Sequence, residues 1–246
     1  MGKATISLTD LPVYDSNRLP VPDTDHSSGA LFLVDKPSGW SSFDVVKFLR
    51  SRIKIRKTGH AGTLDPLATG LLVICAGKAT KVISRIQELP KRYLAEVRLG
   101  ASTPSQDAAT EPNAFAPTEH VLQQDVEKIL ADRFTGKISQ IPPMYSALWK
   151  EGKRLYTLAR KGEVVEREPR EVEVFDIRLV SFDANQLILD ITCSKGTYVR
   201  TLAYDLGVAL GSLASLSNLR RTAIGPYHAD EALEVEQIRS LYDQKA

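Results

Sequence analysis

Two unbroken apolar runs, Ala30–Val34 (ALFLV) and Leu71–Cys75 (LLVIC), set the terms on which this chain can fold. Each is five residues long and reads as a strand buried in a core. Lys36-Pro37-Ser38-Gly39 follows the first run as a turn. Ser41 is then placed to cap a helix that points Val45, Val46, Phe48, Leu49 and Ile53 inward, which gives a strand–turn–helix unit. Ala79–Ile86 reads as a short helix, and Arg92–Leu99 alternates, with Tyr93, Ala95, Val97 and Leu99 on its apolar face. Thr118 is placed to cap a helix running to about Phe134, with Gly136 just past its end. Strands are expected at 172–181 and 186–193, then a helix from about Thr197 to Leu210 stopped by Gly211, a strand near 213–222 and a last helix around 233–242. Strands and helices interleave without a regular βαβ repeat. The fold class is therefore α+β, a mixed, largely antiparallel central sheet flanked by helices.

At 246 residues and 43% hydrophobic, the chain can bury a sizeable core as one large domain or two small ones. No apolar run reaches the eighteen or so residues of a membrane helix, and the opening MGKATISLTD has no signal-peptide core, so a cytoplasmic protein with no membrane association is expected. Cys75 and Cys193 sit inside apolar runs, and the histidines show no ligand spacing, so no metal site is expected. The net charge of +2 hides a pattern: residues 47–100 carry twelve basic and three acidic side chains and residues 135–170 eight against four, while both ends are acidic. Such local density is what a polyanion-binding face requires, although a single basic run is equally well a solvated helix face. Residues 1–29, rich in Pro, Asp and Ser, read as a mobile or surface-draped arm. Residues 138–170 combine Pro142-Pro143, Met144, Tyr145, Trp149 and Tyr156 with basic residues and little periodicity, which suggests a protruding flap, with Lys150, Lys153 and Arg154 as its candidates for polyanion contact.

The segment Gly59-His60-Ala61-Gly62-Thr63-Leu64-Asp65-Pro66-Leu67-Ala68-Thr69-Gly70 looks like a site loop, because its glycines allow close backbone approach to a ligand. Asp65, followed by Pro, sits on an extended or turn backbone. Read locally, it either caps the next turn or presents its carboxylate to a ligand. A phosphate-loop NTPase is excluded, since Leu72 stands where the first glycine would be and Ala79 where the hydroxyl residue would be. A serine triad lacks its G-x-S-x-G elbow.

Five motifs occur in a fixed order: Asp35-Lys36-Pro37-Ser38-Gly39, the Gly59–Gly70 loop, Lys91-Arg92-Tyr93, Pro142-Pro143-Met144-Tyr145-Ser146-Ala147 and Lys195-Gly196-Thr197-Tyr198-Val199-Arg200. In that order they resemble the TruB family of tRNA pseudouridine-55 synthases over roughly residues 30–222. The resemblance implies a pseudouridine synthase fold and the isomerisation of a T-loop uridine of tRNA by base flipping, with no cofactor, metal or guide RNA. It also implies a monomer whose partner is the tRNA T-arm, with no obligatory protein partner. By the same matching, Asp65 is similar to the family's nucleophile, Tyr93 to the aromatic that stacks on the flipped base, and Arg200 to the partner of that aspartate. His60 matches the side chain that helps hold the loop open, Leu219 the apolar wall of the pocket, and Lys36 belongs to the first motif. The turn after the Tyr93 strand departs from many relatives, with Pro104 where an acid is common. The expected organisation is an arm at 1–29, a catalytic domain at 30–224 carrying the flap, and a helical tail at 225–246 without a separate C-terminal RNA-binding domain. A non-catalytic RNA-binding or tRNA-folding protein is the competing reading. Asp65 argues against it, since a carboxylate facing a polyanion weakens binding unless it has chemistry to do.

Overall fold

The computed structural model describes residues 6–150 and 152–243. From the N-terminus the elements are β1 (Val13–Tyr14), β2 (Ala30–Lys36), α1 (Ser42–Ile53), β3 (Thr58–His60), β4 (Thr69–Ala76), α2 (Ile83–Glu88) and β5 (Lys91–Leu99). Two short strands, β6 (Ala101–Ser102) and β7 (Ala114–Phe115), precede α3 (Gln123–Arg133), β8 (Gly136–Gln140), β9 (Trp149–Lys150), β10 (Lys153–Arg154) and α4 (Leu155–Ala159). The chain ends with β11 (Arg170–Asp183), β12 (Gln186–Cys193), α5 (Val199–Ala209), β13 (Ala214–Ile224), β14 (Tyr227–His228), β15 (Leu233–Glu234) and α6 (Val235–Asp243). The residues group into two compact units, Met1–Arg92 with Arg220–Ala246, and Tyr93–Leu219, so both boundaries fall inside strands, β5 and β13.

In the first unit β2 and β4 pair antiparallel from Ala30 opposite Ala76 to Lys36 opposite Gly70. The two apolar runs are thus cross-strand neighbours with both faces covered. Phe32, Val34, Leu72 and Ile74 pack against Val45, Val46, Leu49 and Ile53 of α1 and Ile238 of α6. Leu31, Leu33, Leu71 and Val73 pack on the other face with Ala79, Val82 and Ile86. Each fully buried aliphatic side chain contributes roughly 1.5–3 kcal/mol, which makes this sheet the firm base of the unit. The far edge of β4 is shared between β3, opposite Ile74–Ala76, and the end of β13, which runs parallel with Arg221 opposite Gly70. Gly70, at φ +95°, is required there, because any Cβ would run into the main chain of Arg221.

Ser41 caps α1 through a capping box with Asp44, as its sequence suggests. Ala79–Ile86 is instead a 3-10 turn over Gly77–Val82 that passes into α2. The arm has more structure than its composition suggests. Val13–Tyr14 pairs parallel with Leu31–Phe32, the Tyr14 ring stacks on Phe32 at 5.1 Å, and His26 sets its edge against both rings.

The second unit carries the strand order β13-β5-β12-β11-β8, with the long β11–β12 hairpin and β8 antiparallel to β11. The helix expected from Thr118 starts later, at Gln123. Thr118 closes a separate turn by accepting from the Val121 N–H, and the Asp125 carboxylate takes over the cap by accepting from the Leu122 N–H at 3.3 Å. Within 138–170 the structure places β9 and β10 as a hairpin followed by α4, with Met144, Leu155 and Leu158 buried together and Tyr145, Ala159 and Val165 around them. That segment has a small core of its own. With parallel pairs in the first unit and antiparallel pairs in both, the architecture is α+β on a mixed sheet.

Candidate active site

In the first unit, the loop carrying Asp65 is held by groups that satisfy its main chain on both sides of the carboxylate. Lys36, at the end of β2, is fully buried, and its ammonium donates to three carbonyls: Pro37 at 2.9 Å, Trp40 at 2.7 Å and Pro66 at 3.0 Å. Pro66 directly follows Asp65, and its carbonyl also accepts from the Gly39 N–H at 2.9 Å. On the other side of Asp65, the buried Ser42 hydroxyl accepts from the Leu64 N–H at 2.8 Å and donates to the Leu64 carbonyl at 3.1 Å. The first motif and the start of α1 therefore staple both neighbours of Asp65, leaving its half-buried side chain to be presented by a fixed backbone. Burial pushes the Lys36 ammonium down to about 8, while the charge of Asp65 works the other way and favours the cation.

Arg221 completes this clamp from β13. It lies on the apolar face of that strand at 1% exposure, and its guanidinium donates to the carbonyls of Leu71 at 2.8 Å, Thr63 at 3.3 Å and Gly62 at 3.1 Å. One planar cation thus fixes the loop and the start of β4 together. Its neighbour Arg220 forms a two-pronged pair with Asp35, at 3.1 and 2.6 Å. His60, on β3 opposite Ile74, is half-buried, and both burial and the Arg221 charge lower its pKa, so the imidazole is held neutral at physiological pH. Nothing in the local sequence singles out Arg221 as a loop clamp. The available signal is its phase, an arginine in step with Leu219 and Ala223 on one strand face.

In the second unit Tyr93 points with the buried face of β5, alongside Ala95, Val97 and Leu99, and Leu219 is buried on β13. Arg200, in the first turn of α5, is 3% exposed. It donates to the carbonyls of Ser105 and Tyr145, both at 3.0 Å, and its guanidinium lies 3.6 Å from the Asp107 carboxylate. This joins three separate stretches of sequence. The turn containing Pro104 supplies the Ser105 carbonyl and the Asp107 charge, Tyr145 belongs to the Pro142–Ala147 motif, and Arg200 ends the Lys195–Arg200 motif. The entry to α5 is fixed by the buried Gln140, whose amide exchanges hydrogen bonds with the Tyr198 main chain at 2.8 and 3.0 Å. Asp107 and Gln140 carry no functional signal in the sequence, because their partners lie 93 and 58 residues away.

On the hairpin, Lys150 donates to the Glu166 carbonyl at 2.8 Å and Arg154 to the Ala147 carbonyl at 2.7 Å, while Lys153 is exposed. Among the described residues no cluster of His, Cys, Asp or Glu could hold a metal ion, and no helix is long and apolar enough to cross a membrane. Cys75 is buried, and its thiol is pushed up to about 12 by that burial, so it is chemically inert.

Residues 50–199 match the TruB family pseudouridylate synthase N-terminal domain, and residues 200–246 match the tRNA pseudouridylate synthase B C-terminal domain. The chain is 46% identical over 223 residues to tRNA pseudouridine synthase B of Phocaeicola vulgatus, covering 88% of this chain and 94% of that one. It is 46% identical over 220 residues to the enzyme of the same name from Bordetella pertussis, covering 87% and 88%. Among solved structures, a chain in the crystal structure of a Cbf5-Nop10-Gar1 complex superposes with a TM-score of 0.70 at 26% identity, over 94% of this chain and 60% of that one. A chain of an H/ACA RNP bound to a substrate RNA containing 2'-deoxyuridine shares the fold, with a TM-score of 0.65 at 24% identity, over 87% of this chain and 54% of that one.

Proposed function

The chain belongs to the TruB family of pseudouridylate synthases, and on that premise we propose how its residues divide the work of converting a uridine of tRNA to pseudouridine. The enzyme is an RNA isomerase acting on tRNA. Its target is the T-loop uridine at position 55. The bond between N1 of the uracil and C1' of the ribose breaks, the base turns, and C5 bonds to C1'. The proton that leaves C5 is matched by one gained at N1, so the reaction conserves every atom and needs no oxidant, reductant or cofactor.

Asp65 is the nucleophile. The observation that carries this role is the fixation of both its chain neighbours, Leu64 by Ser42 and Pro66 by Lys36 and Gly39, beside a buried ammonium whose positive charge it favours. A nucleophilic carboxylate must be aimed, and this backbone supports that. Tyr93 takes the extruded uracil on its ring, with Leu219 as an apolar wall, because a base leaving its stack needs a π-face in exchange. Arg200 is the partner of the aspartate, and His60, a neutral half-buried imidazole, props the opened T-loop. Residues 138–170 form the RNA-contacting flap, with Lys150, Lys153 and Arg154 turned to phosphate. The protein acts in the cytoplasm as a monomer on the T-arm, without a protein partner.

Incubation with unmodified tRNA followed by carbodiimide-dependent primer extension tests the whole reading. A single new stop at the T-loop uridine is expected. Binding of tRNA with no stop would leave only a binding protein, and a stop elsewhere would overturn the target.

A further inference from the structure

The hairpin of the second unit exposes an indole in a prepared setting. Trp149 is 63% exposed, although its neighbours Leu155 and Leu158 are buried. It is directly opposite Arg154 in the β9–β10 pair, and the Arg154 guanidinium carbon lies 4.7 Å from the centre of the Trp149 ring. The same guanidinium donates to the Ala147 carbonyl at 2.7 Å, so the cation is fixed by the main chain at the foot of the hairpin. The hairpin is fixed in turn: the Leu155 N–H donates to the Leu148 carbonyl at 2.8 Å, and Lys150 reaches the Glu166 carbonyl at 2.8 Å. A cation over an aromatic face is stabilising, and here it also holds the ring at a set angle.

We propose that Trp149, backed by Arg154, is a stacking platform for an unpaired nucleobase of the tRNA other than the uridine being isomerised. This inference rests on RNA being the substrate. The segment 135–170 carries eight basic against four acidic side chains, so the surroundings of the indole attract a polyanion. Lys153, exposed on the neighbouring strand, offers its ammonium to the phosphate chain of a stacked base. An aromatic ring already covered on one face by a guanidinium offers its other face with little ordering cost, because ring and cation are positioned before RNA arrives. A planar ring set among lysines and arginines matches the chemistry of a base on its sugar-phosphate chain.

The test uses the full-length protein with an isolated T-arm stem-loop and with whole tRNA. The chain has two tryptophans, so indole quenching on RNA binding is compared between the wild type and Trp149→Phe, which leaves only Trp40. Saturable quenching in the wild type that is largely lost in Trp149→Phe is expected. Trp149→Leu should weaken binding about ten- to hundredfold, Trp149→Phe only a few-fold, and neither should alter the log–log salt slope, since every phosphate-binding cation is still present. An unchanged affinity in Trp149→Leu, or equal quenching in the wild type and Trp149→Phe, overturns the platform. So does a loss of affinity accompanied by a lower salt slope, which would mean that the segment holds phosphate alone. Pseudouridine formation by the wild type is scored separately, so a failure of the isomerase reading shows in that assay and not in these titrations.

Discussion

The loop that carries Asp65 and the hairpin that carries Trp149 both depend on arginine and lysine, but they turn these side chains in opposite directions. In the loop the cations are inside: Lys36 and Arg221, at 0% and 1% exposure, donate to six main-chain carbonyls between them. In the hairpin they are outside, and Arg154 and Lys150 each donate to a single carbonyl while keeping their charge in water. A buried cation surrounded by carbonyls is locked, because releasing it would strand both the charge and its acceptors. An exposed one keeps its charge within reach of a ligand. The chemistry of the two regions follows from this difference: one fixes a carboxylate, and the other receives a polyanion.

The largest effect is expected at the fixed carboxylate. Asp65→Asn should reduce pseudouridine formation more than a hundredfold, about 3 kcal/mol or more of transition-state stabilisation, while tRNA affinity stays within a few-fold. Residual turnover above about a hundredth of wild type in a single-turnover assay would remove the nucleophile from the loop and the comparison with it.

Next comes the clamp itself. Arg221→Met strands the carbonyls of Leu71, Thr63 and Gly62, and a loss of about 3–5 kcal/mol in urea-melt stability is expected. Replacing Lys150, Lys153 and Arg154 together by Ala should cost no more than about 1 kcal/mol of stability. If the two variants melt alike, the contrast between inside and outside cations is wrong. The same triple variant sharpens the contrast in binding: affinity for tRNA should fall, and the log–log salt slope should decrease by about 0.7–0.9 for each phosphate that is no longer neutralised.

The smallest effect is a pH dependence. Because burial depresses the folded pKa of Lys36 to about 8 from the ordinary 10.5, the protonated side chain costs the folded state stability in full below about pH 8, and this cost is relieved as the pH rises toward 10.5. Wild type should therefore gain roughly 1 kcal/mol relative to Lys36→Met between pH 7 and 9, measured by thermal melts. A stability difference that stays flat over that range would place the Lys36 ammonium in water.

Much of this was legible along the chain. The buried strands, the α1 helix with its cap, the alternation of Arg92–Leu99 and the site loop all follow from local periodicity and turn chemistry, which need only a few consecutive residues to declare themselves. The later start of α3 shows the limit of such reading: Thr118 and Asp125 both offer caps, and the local sequence does not say which turn closes first. The arm shows another, since Val13–Tyr14 is a strand only because the edge of β2 is there to pair with it.

By itself, then, the sequence determined the main buried strands and the amphipathic helices, the α+β class, the Gly59–Gly70 loop as the seat of Asp65, and the basic, aromatic character of the hairpin. Only the tertiary structure decided what each cation does. Arg221 and the Gly62 carbonyl are 159 residues apart, Arg200 and Ser105 are 95 apart, and Lys36 and Pro66 are 30 apart, so no local pattern links them. A lysine or arginine looks the same in sequence whether it is buried against carbonyls or held out to phosphate. The choice is made when the sheet brings distant main-chain acceptors into reach and excludes the water that would otherwise satisfy them.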